Sequence, residues 1–313
     1  MIDFRYHLVS LTAVFLAVAL GIVIGTTQLN GRVLDGLEAQ VETLTEQKNS
    51  LEAQTESLTD QLTQDGAYDD AVAPLIVANR LVGSSVLLIV TSDDVSAEVV
   101  GQTITLLQAA GADLSGTLRL QPEFTDPQNS PELQEYVTGS GLPAGINLPV
   151  TDDTPLLVAS LMSQVLMRPG DGGEAPPEAA RTTVLAGLAA LGVVTSDSGE
   201  VDSADYALIL TAAGFTGEDA EARNQTLVTL AVGLDTAGSG GVVAGDADSG
   251  ADGGLVAALR ADASAATSVS TVNNVDAASG QVAALLALTA ERTGQSGNYG
   301  VGEDTLPLPP LAP

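Results

Sequence analysis

The chain has 313 residues, which is enough for one large globular domain in addition to helical N-terminal segments. Its 40 acidic and 10 basic side chains predict a surface that repels nucleic acid and anionic lipid head groups, so neither is an expected ligand. This balance favours cations or basic partners, although a solvated acidic surface without a partner is the simpler interpretation. The absence of cysteine excludes disulfides, thiolate metal sites and cysteine nucleophiles.

The N-terminus is typical of a membrane anchor. Residues 8–27 carry no charged side chain and are long enough to cross a bilayer as one helix. Residues 1–7 place two aromatic side chains and Arg5 directly before this run, which favours a cytoplasmic N-terminus and an extracytoplasmic remainder. An Ala-Val-Ala tripeptide at 17–19 resembles a signal-peptide cleavage site. The apolar run continues past it, however, which favours a retained anchor.

Two glycines within this run have the spacing of a helix-pairing motif. Gly21 and Gly25 form a GxxxG pair, which lets two membrane helices approach each other closely. Small residues are also common in membrane helices that do not pair. The motif therefore leaves both interpretations open.

Residues 30–64 repeat apolar side chains with alternating three- and four-residue spacing, which predicts a coiled coil. Lys48 occupies an a position, and its ammonium reaches water most easily when the coil has two strands. The pattern therefore predicts a homodimer, with an amphipathic helix folded back on the globular domain as the alternative. The predicted seam consists of Leu34, Leu37, Val41, Leu44, Lys48, Leu51, Leu58 and Leu62.

From residue 67 to 300 the pattern changes to short apolar runs that alternate with amphipathic segments. Residues 86–90 (VLLIV) are typical of a strand that is buried on both faces. The alternation predicts an α/β domain with a mostly parallel, doubly wound sheet. The predicted strands are 86–90, 114–120, 207–211, 241–244 and 269–272, and the main predicted helices are 95–110, 154–167, 182–191, 219–234, 255–261 and 281–292.

Glycine and proline mark the expected boundaries. Gly66 is expected to end the helix of the rod, and residues 169–177 (PGDGGEAPP) read as an internal linker. Residues 301–313 are rich in proline and are expected to form an extended, solvated tail.

Few residues of the domain are typical of a catalytic centre. His7 is the only histidine and lies at the membrane boundary, so a Ser-His-Asp triad in the domain is excluded. Neither a GxSxG elbow nor a phosphate-loop motif is present, and we expect no enzymatic activity. Met162 and Met167 are the only soft metal ligands of the domain, and core filling is their simpler interpretation.

Acidic residues follow two of the predicted strands at the ends where parallel α/β sheets bind ligands. The strand at 241–244 is followed by D-x-D-x-G-x-D, which resembles the start of a calcium loop but departs from the EF-hand at its sixth and twelfth positions. These residues are candidate ligands for a divalent cation, and helix caps that face water are the simpler alternative. The candidates are Asp93, Asp94, Asp246, Asp248 and Asp252.

Both ends of the chain resemble one family. The opening MIDFRYHLVSLTAVFLAVALGIVIGTTQLNG closely resembles the start of the MctB family of actinobacterial envelope proteins. Residues 275–300 (VDAASGQVAALLALTAERTGQSGNYG) are similar to the C-terminal end of that family. The family is named for copper transport, after a member assigned to copper efflux and outer-membrane pore formation. The resemblance implies a role in copper homeostasis, with copper as cargo and the outer membrane as a location.

A second branch of the family implies a different role. Proteins similar to SteB are single-pass partners in cell separation that engage a peptidoglycan hydrolase, and they imply a dimeric scaffold that binds and activates such an enzyme. The resemblance supplies no catalytic residues. One membrane helix forms a pore only in a ring of copies, whereas the rod predicts two.

Overall fold

The structure is a computed structural model that describes residues 4–170, 173–197 and 199–310, without the side chains of residues 26–36. The chain divides into two compact units, Met1–Asp65 and Gly66–Pro313. The predicted seam residue Leu34 belongs to helix α1, and its side chain lies outside the described part.

The described residues of the first unit all belong to a long helix, α1, which spans Phe4–Val77. Its stretch Phe4–Gly25 has a mean hydropathy of 2.6 and is unburied. Among the described residues, it is the one helix that is long and apolar enough to cross a membrane. This apolar helix coincides within a few residues with the anchor predicted at residues 8–27, and its insertion in a membrane stays a prediction.

Helix α1 does not end where the sequence suggested. Gly66 lies within the helix, so the prediction that it ends the rod is wrong. A glycine in a helix costs only about 1 kcal/mol relative to alanine. The last turns are buried through Ala73 and Val77, which pack into the core of the second unit. This burial outweighs the cost of the glycine.

The second unit is built around a seven-stranded sheet. Its strands are β1 (Ser85–Val90), β2 (Asp113–Leu120), β3 (Val194–Ser196), β4 (Tyr206–Thr211), β5 (Gly241–Gly245), β6 (Ser270–Val272) and β7 (Asn298–Tyr299). The spatial order is β3-β2-β1-β4-β5-β6-β7. Every neighbouring pair is parallel except β2 and β3. The predicted mostly parallel α/β fold is therefore confirmed.

The helices of this unit lie between the strands in the chain. They are α2 (Ala97–Ala109), α3 (Pro122–Thr125), α4 (Ser130–Thr138), α5 (Thr154–Leu166), α6 (Glu178–Ala190), α7 (Ala220–Ala237), α8 (Leu255–Ala261), α9 (Ala265–Ser268) and α10 (Ala278–Glu291). Capping hydrogen bonds accepted by side chains fix the residue at which two of these helices begin. The Ser96 hydroxyl accepts a hydrogen bond from the Val99 N–H at the start of α2, and the Asp153 carboxylate accepts one from the Leu156 N–H in α5.

Strand β1 shows why the sheet is doubly wound. Successive side chains of a strand point to opposite faces. Leu87 and Ile89 pack into one core cluster, whereas Val86, Leu88 and Val90 pack into the other. All six residues of β1 are buried, as expected for a strand with helices on both sides of its sheet.

The two edges and the C-terminal segment depart from the sequence-based expectations. The edge strands β3 and β7 were not predicted, since they are only three and two residues long.

The segment after residue 300 is not fully solvated. Leu306 exchanges backbone hydrogen bonds with Asn298 and Gly300, and Pro309 is buried. The described residues of the predicted linker 169–177 form neither helix nor strand.

Candidate functional site at the carboxyl ends of the strands

The order of the sheet creates a crevice between two strands. From β1 the chain proceeds outward to β2, and from β4 it proceeds outward to β5 on the other side. The connections leaving β1 and β4 therefore diverge at their carboxyl ends, which is where doubly wound sheets bind ligands. A cavity of about 40 Å³ lies there, and its polar and aromatic lining consists of Thr91, Ser92, Asp94, Thr211, Phe215 and Asn224.

Two oxygen atoms of this crevice have no partner. Ser92 Oγ and Asn224 Oδ1 are buried without a hydrogen bond. Asn224 is only 5% exposed, and its Nδ2 donates to the Gly253 carbonyl oxygen at 2.7 Å. This bond fixes the orientation of the amide, so Oδ1 is the atom that Asn224 offers to a ligand. An unsatisfied buried oxygen costs about 1–3 kcal/mol, which a bound ligand would recover.

Asn224 carries a signal that the sequence analysis did not use. It lies on α7 at helical spacing from Leu227, Val228 and Ala231, all of which are buried. A polar residue on the apolar face of a helix needs a polar partner, and that requirement points to a site.

Asp246 braces the wall of the crevice. Its two carboxylate oxygens both lie 3.1 Å from the Ala213 nitrogen, and Oδ1 also accepts a hydrogen bond from the Ser249 N–H at 2.8 Å. Ala213 has φ of 57°, which is unfavourable for any residue with a Cβ atom. Asp246 therefore holds the chain after β4 in a strained turn, and its carboxylate is occupied by backbone donors.

The other four predicted cation ligands do not take part in the hydrogen bonds of Asp246. Asp94 is exposed and lines the crevice, while the exposed Asp93 lies 3.7 Å from Arg119 Nη1. Asp248 and Asp252 are exposed in the loop after β5. In the part of the chain that the structure describes, no group of three or more His, Asp or Glu side chains is placed to hold a metal ion. Cation binding by these five aspartates stays a prediction.

The predicted dimer seam is exposed along α1. Lys48 Nζ lies 2.8 Å from Glu52 Oε1, one helical turn away, and both side chains remain largely exposed. Gly21 and Gly25 leave open space where a Cβ atom would lie, so a second helix has room to approach. More than half of the surface of each described apolar seam residue is exposed: Leu37, Val41, Leu44, Leu51, Leu58 and Leu62.

Soft metal ligands are not gathered in the described residues. Met162 and Met167 are at most 2% exposed and belong to one core cluster, which confirms that they fill the core. His7 is exposed near the start of α1. This donor set does not provide a copper site.

A larger cavity lies beside the edge strand β3. It measures about 300 Å³ and is lined by Arg181, Leu185, Val194 and Asp202 among others. Its buried arginine is already satisfied, because Nε donates to the Val201 carbonyl oxygen at 2.6 Å and Nη2 to Asp202 Oδ1 at 2.7 Å. This cavity therefore makes a weaker case for a ligand than the crevice does.

Two acidic residues, the buried Glu291 and the partly buried Asp235, lie beside β5 and β6. The pKa of Glu291 is raised to about 7, mainly by burial; hydrogen bonds from Ser270 oppose this rise, and the charge of Asp235 contributes a smaller increase. Burial also raises the pKa of Asp235 to about 6. Because Ser270 begins β6, this pair is at the amino ends of the strands, away from the crevice.

Comparison with known proteins accounts for the whole chain. A family model described as "Copper transport outer membrane protein, MctB" matches residues 1–310. The chain belongs to the MctB family. The Copper transporter MctB of Mycobacterium tuberculosis is 32% identical over 309 residues, which cover 98% of each chain. The Copper transporter MctB of Mycobacterium leprae is 35% identical over 309 residues, which cover 96% of this chain and 97% of the relative.

The MctB match confirms the resemblance seen at the two ends of the sequence. It includes the apolar helix and the α/β domain in one alignment of nearly full length. The two relatives are therefore similar to this chain over nearly its whole length.

Proposed function

We propose that this chain is a single-pass envelope protein that takes part in copper homeostasis, with copper efflux as the implied activity. The observation that carries the proposal is the match to relatives named Copper transporter MctB over 98% of both chains. A match confined to the anchor would support only a shared targeting signal. Because the match includes the α/β domain as well, it supports a shared role.

The proposed topology places residues 1–7 in the cytoplasm, with a membrane helix at 8–27. The coiled coil at 30–64, the α/β domain at 67–300 and the tail at 301–313 then lie outside the cytoplasm. The apolar helix Phe4–Gly25 supports the span, and Arg5 beside it supports the orientation. The membrane is the cell membrane in this proposal; an outer-membrane location is the alternative that the family description supports.

We further propose that two copies pair through α1. The exposed seam is costly for a single chain in water, since burying a leucine side chain contributes about 1.5–3 kcal/mol. Pairing covers the seam residues in register and lets Lys48 reach water beside the seam. The GxxxG pair of Gly21 and Gly25 would continue the same contact into the membrane.

In this proposal copper is cargo, because the donor set of the described residues does not fit a resident copper ion. The paired rod would then hold two copies of the domain outside the cytoplasm, where each domain engages other envelope components. This mechanism needs no catalytic residue, and we propose none.

The second candidate is a scaffold of the SteB type that binds and activates a peptidoglycan hydrolase during cell separation. The exposed seam of α1 supports it, because a paired rod is suited to holding a partner enzyme in the cell wall. Both candidates use the same architecture and differ in what the domain engages.

Deletion of the gene separates the two candidates. The copper proposal predicts growth inhibition at copper concentrations that the parent tolerates, with normal septation and with restoration by the intact chain. The matched control is complementation with the chain that lacks residues 1–27, which should not restore tolerance. Chains of unseparated cells with unchanged copper tolerance would overturn the copper proposal and support the scaffold.

A further inference from the structure

The crevice between β1 and β4 offers oxygen to a ligand and little else that is polar. Its lining includes the hydroxyls of Thr91, Ser92 and Thr211, the carboxylate of Asp94 and the amide oxygen of Asn224. No lysine, arginine or histidine lines it. The hydroxyls can donate hydrogen bonds to an anion such as phosphate, but no basic side chain in the lining neutralises its charge and Asp94 would repel it. The donor set instead suits a hard cation.

We infer that this crevice binds one calcium ion, with Asn224 Oδ1, Ser92 Oγ and Asp94 as its protein ligands. Two of these ligands are the buried oxygen atoms that no other group in the described structure satisfies. Calcium binds six to eight oxygen atoms in flexible geometry, and water supplies those that the protein does not. The cavity of about 40 Å³ holds an ion and a small number of waters.

The surroundings of the crevice support a cation. The Asp246 carboxylate holds Ala213, which lines the cavity, and so brings a second negative charge close to it. Arg223 on α7 lies over the ring of Phe215, which lines the crevice, and its positive charge is offset by Asp126 at 3.7 Å. The net charge of −30 also raises the local concentration of cations.

This site differs from the D-x-D-x-G-x-D loop that the sequence suggested. In that loop Asp248 and Asp252 are exposed, and Asp246 is bound to backbone N–H groups. The inferred site lies instead where the strand order reverses, and its central ligand is an asparagine from α7. The two locations are therefore distinguished by different substitutions.

The test is calorimetric titration of the full-length chain in detergent with calcium chloride, after removal of divalent ions. We expect saturable binding of one calcium ion with Kd on the order of 10⁻⁴ to 10⁻³ M, the range of extracellular calcium modules. Magnesium should bind more weakly, because it demands near-ideal octahedral geometry. Ser92→Ala and Asp94→Asn should each weaken calcium binding about tenfold or more.

Two controls keep the result interpretable. Asp248→Asn changes an exposed aspartate of the other loop and should leave the calcium Kd unchanged. Ser92→Ala removes a hydroxyl without a protein partner, so its stability without calcium should equal or exceed that of the parent. The absence of saturable binding up to about 10 mM calcium overturns the inference. Loss of binding in Asp248→Asn but not in Ser92→Ala overturns it equally, in favour of the acidic loop.

Discussion

The Ser270 hydroxyl donates a hydrogen bond to the buried carboxylate of Glu291, with Oγ and Oε1 2.5 Å apart. Glu291 is 8% exposed, and Asp235 contributes a second negative charge to its surroundings. Burial, with a smaller contribution from Asp235, raises the pKa of Glu291 from 4.5 to about 7. The folded chain therefore favours the protonated acid at a pH where the unfolded chain has lost that proton.

This shift predicts a pH-dependent stability of definite sign. Between pH 4.5 and about 7 the folded state binds more protons at Glu291 than the unfolded state does, so the free energy of unfolding falls as pH rises. Asp235, whose pKa is raised to about 6, adds to this fall in the free energy of unfolding as pH rises to about 6. Urea unfolding of the full-length chain, followed by pulse proteolysis, should give a higher midpoint at pH 5 than at pH 7.5.

Glu291→Gln tests the origin of this dependence. Glutamine retains an oxygen that accepts the hydrogen bond from Ser270, but it does not ionise. The variant should be more stable than the parent at pH 7.5. Of the pH dependence of its free energy of unfolding, only the smaller part due to Asp235 should persist. Glu135→Gln on the exposed side of α4 is the matched control and should change neither property. Equal pH profiles for parent and Glu291→Gln would contradict the assignment.

The buried guanidinium of Arg181 predicts a large loss on substitution. Arg181→Met keeps the length of the side chain but removes the donors to the Val201 carbonyl oxygen and to Asp202. An unsatisfied buried carbonyl costs about 1–3 kcal/mol, and the free energy of unfolding should fall by that amount. Arg119→Met removes the ion pairs that a less buried guanidinium makes with Asp93 and Asp197, and it should cost under about 1 kcal/mol. A smaller loss for Arg181→Met than for Arg119→Met would refute this ranking.

Two glycines within helices should respond in opposite directions to alanine. At Gly101 in α2 a Cβ atom meets nothing within 4 Å, so Gly101→Ala should stabilise the domain by up to about 1 kcal/mol. At Gly280 in α10 a Cβ atom would overlap the carbonyl oxygen of Asn274. Gly280→Ala should therefore destabilise by about 1–3 kcal/mol. The two urea midpoints, measured side by side, provide the check, and a stabilised Gly280→Ala would be inconsistent with the packing.

The elements that were predicted from sequence share a physical property. Strand β1 is an unbroken apolar run because both of its faces are buried, so its burial is visible in composition alone. The strands β3 and β7 are too short to show any period, and pairing with β2 and β6 defines them. Gly66 was misleading because the tertiary burial of Ala73 and Val77, which no local pattern reports, keeps the helix intact.

The candidate site was predictable only in part. Ser92 and Asp94 follow a recognisable strand, so their place at its carboxyl end was expected. The position of β4 beside β1 was not predictable, because strand order depends on long-range pairing. Asn224 approaches Ser92 only because β4 lies beside β1 and α7 follows β4. The spacing of the acidic loop predicted a cation site, yet the Asp246 carboxylate accepts hydrogen bonds from backbone N–H groups.

The absence of cysteine permits a direct test of pairing and topology together. A single introduced cysteine forms a disulfide only with a second copy, and only outside the reducing cytoplasm. Leu51 lies at a d position of the seam, where Cβ atoms of two parallel helices approach each other, whereas Ala53 lies at an f position on the outer face. The two positions are two residues apart on the same helix and therefore form a matched pair.

The decisive measurement is non-reducing electrophoresis of intact cells that carry full-length Leu51→Cys or Ala53→Cys. Our account predicts a disulfide-linked dimer for Leu51→Cys and a monomer for Ala53→Cys. A free thiol and a monomer at position 51, under conditions where the protein is present in the membrane, would contradict an extracytoplasmic rod made of two copies.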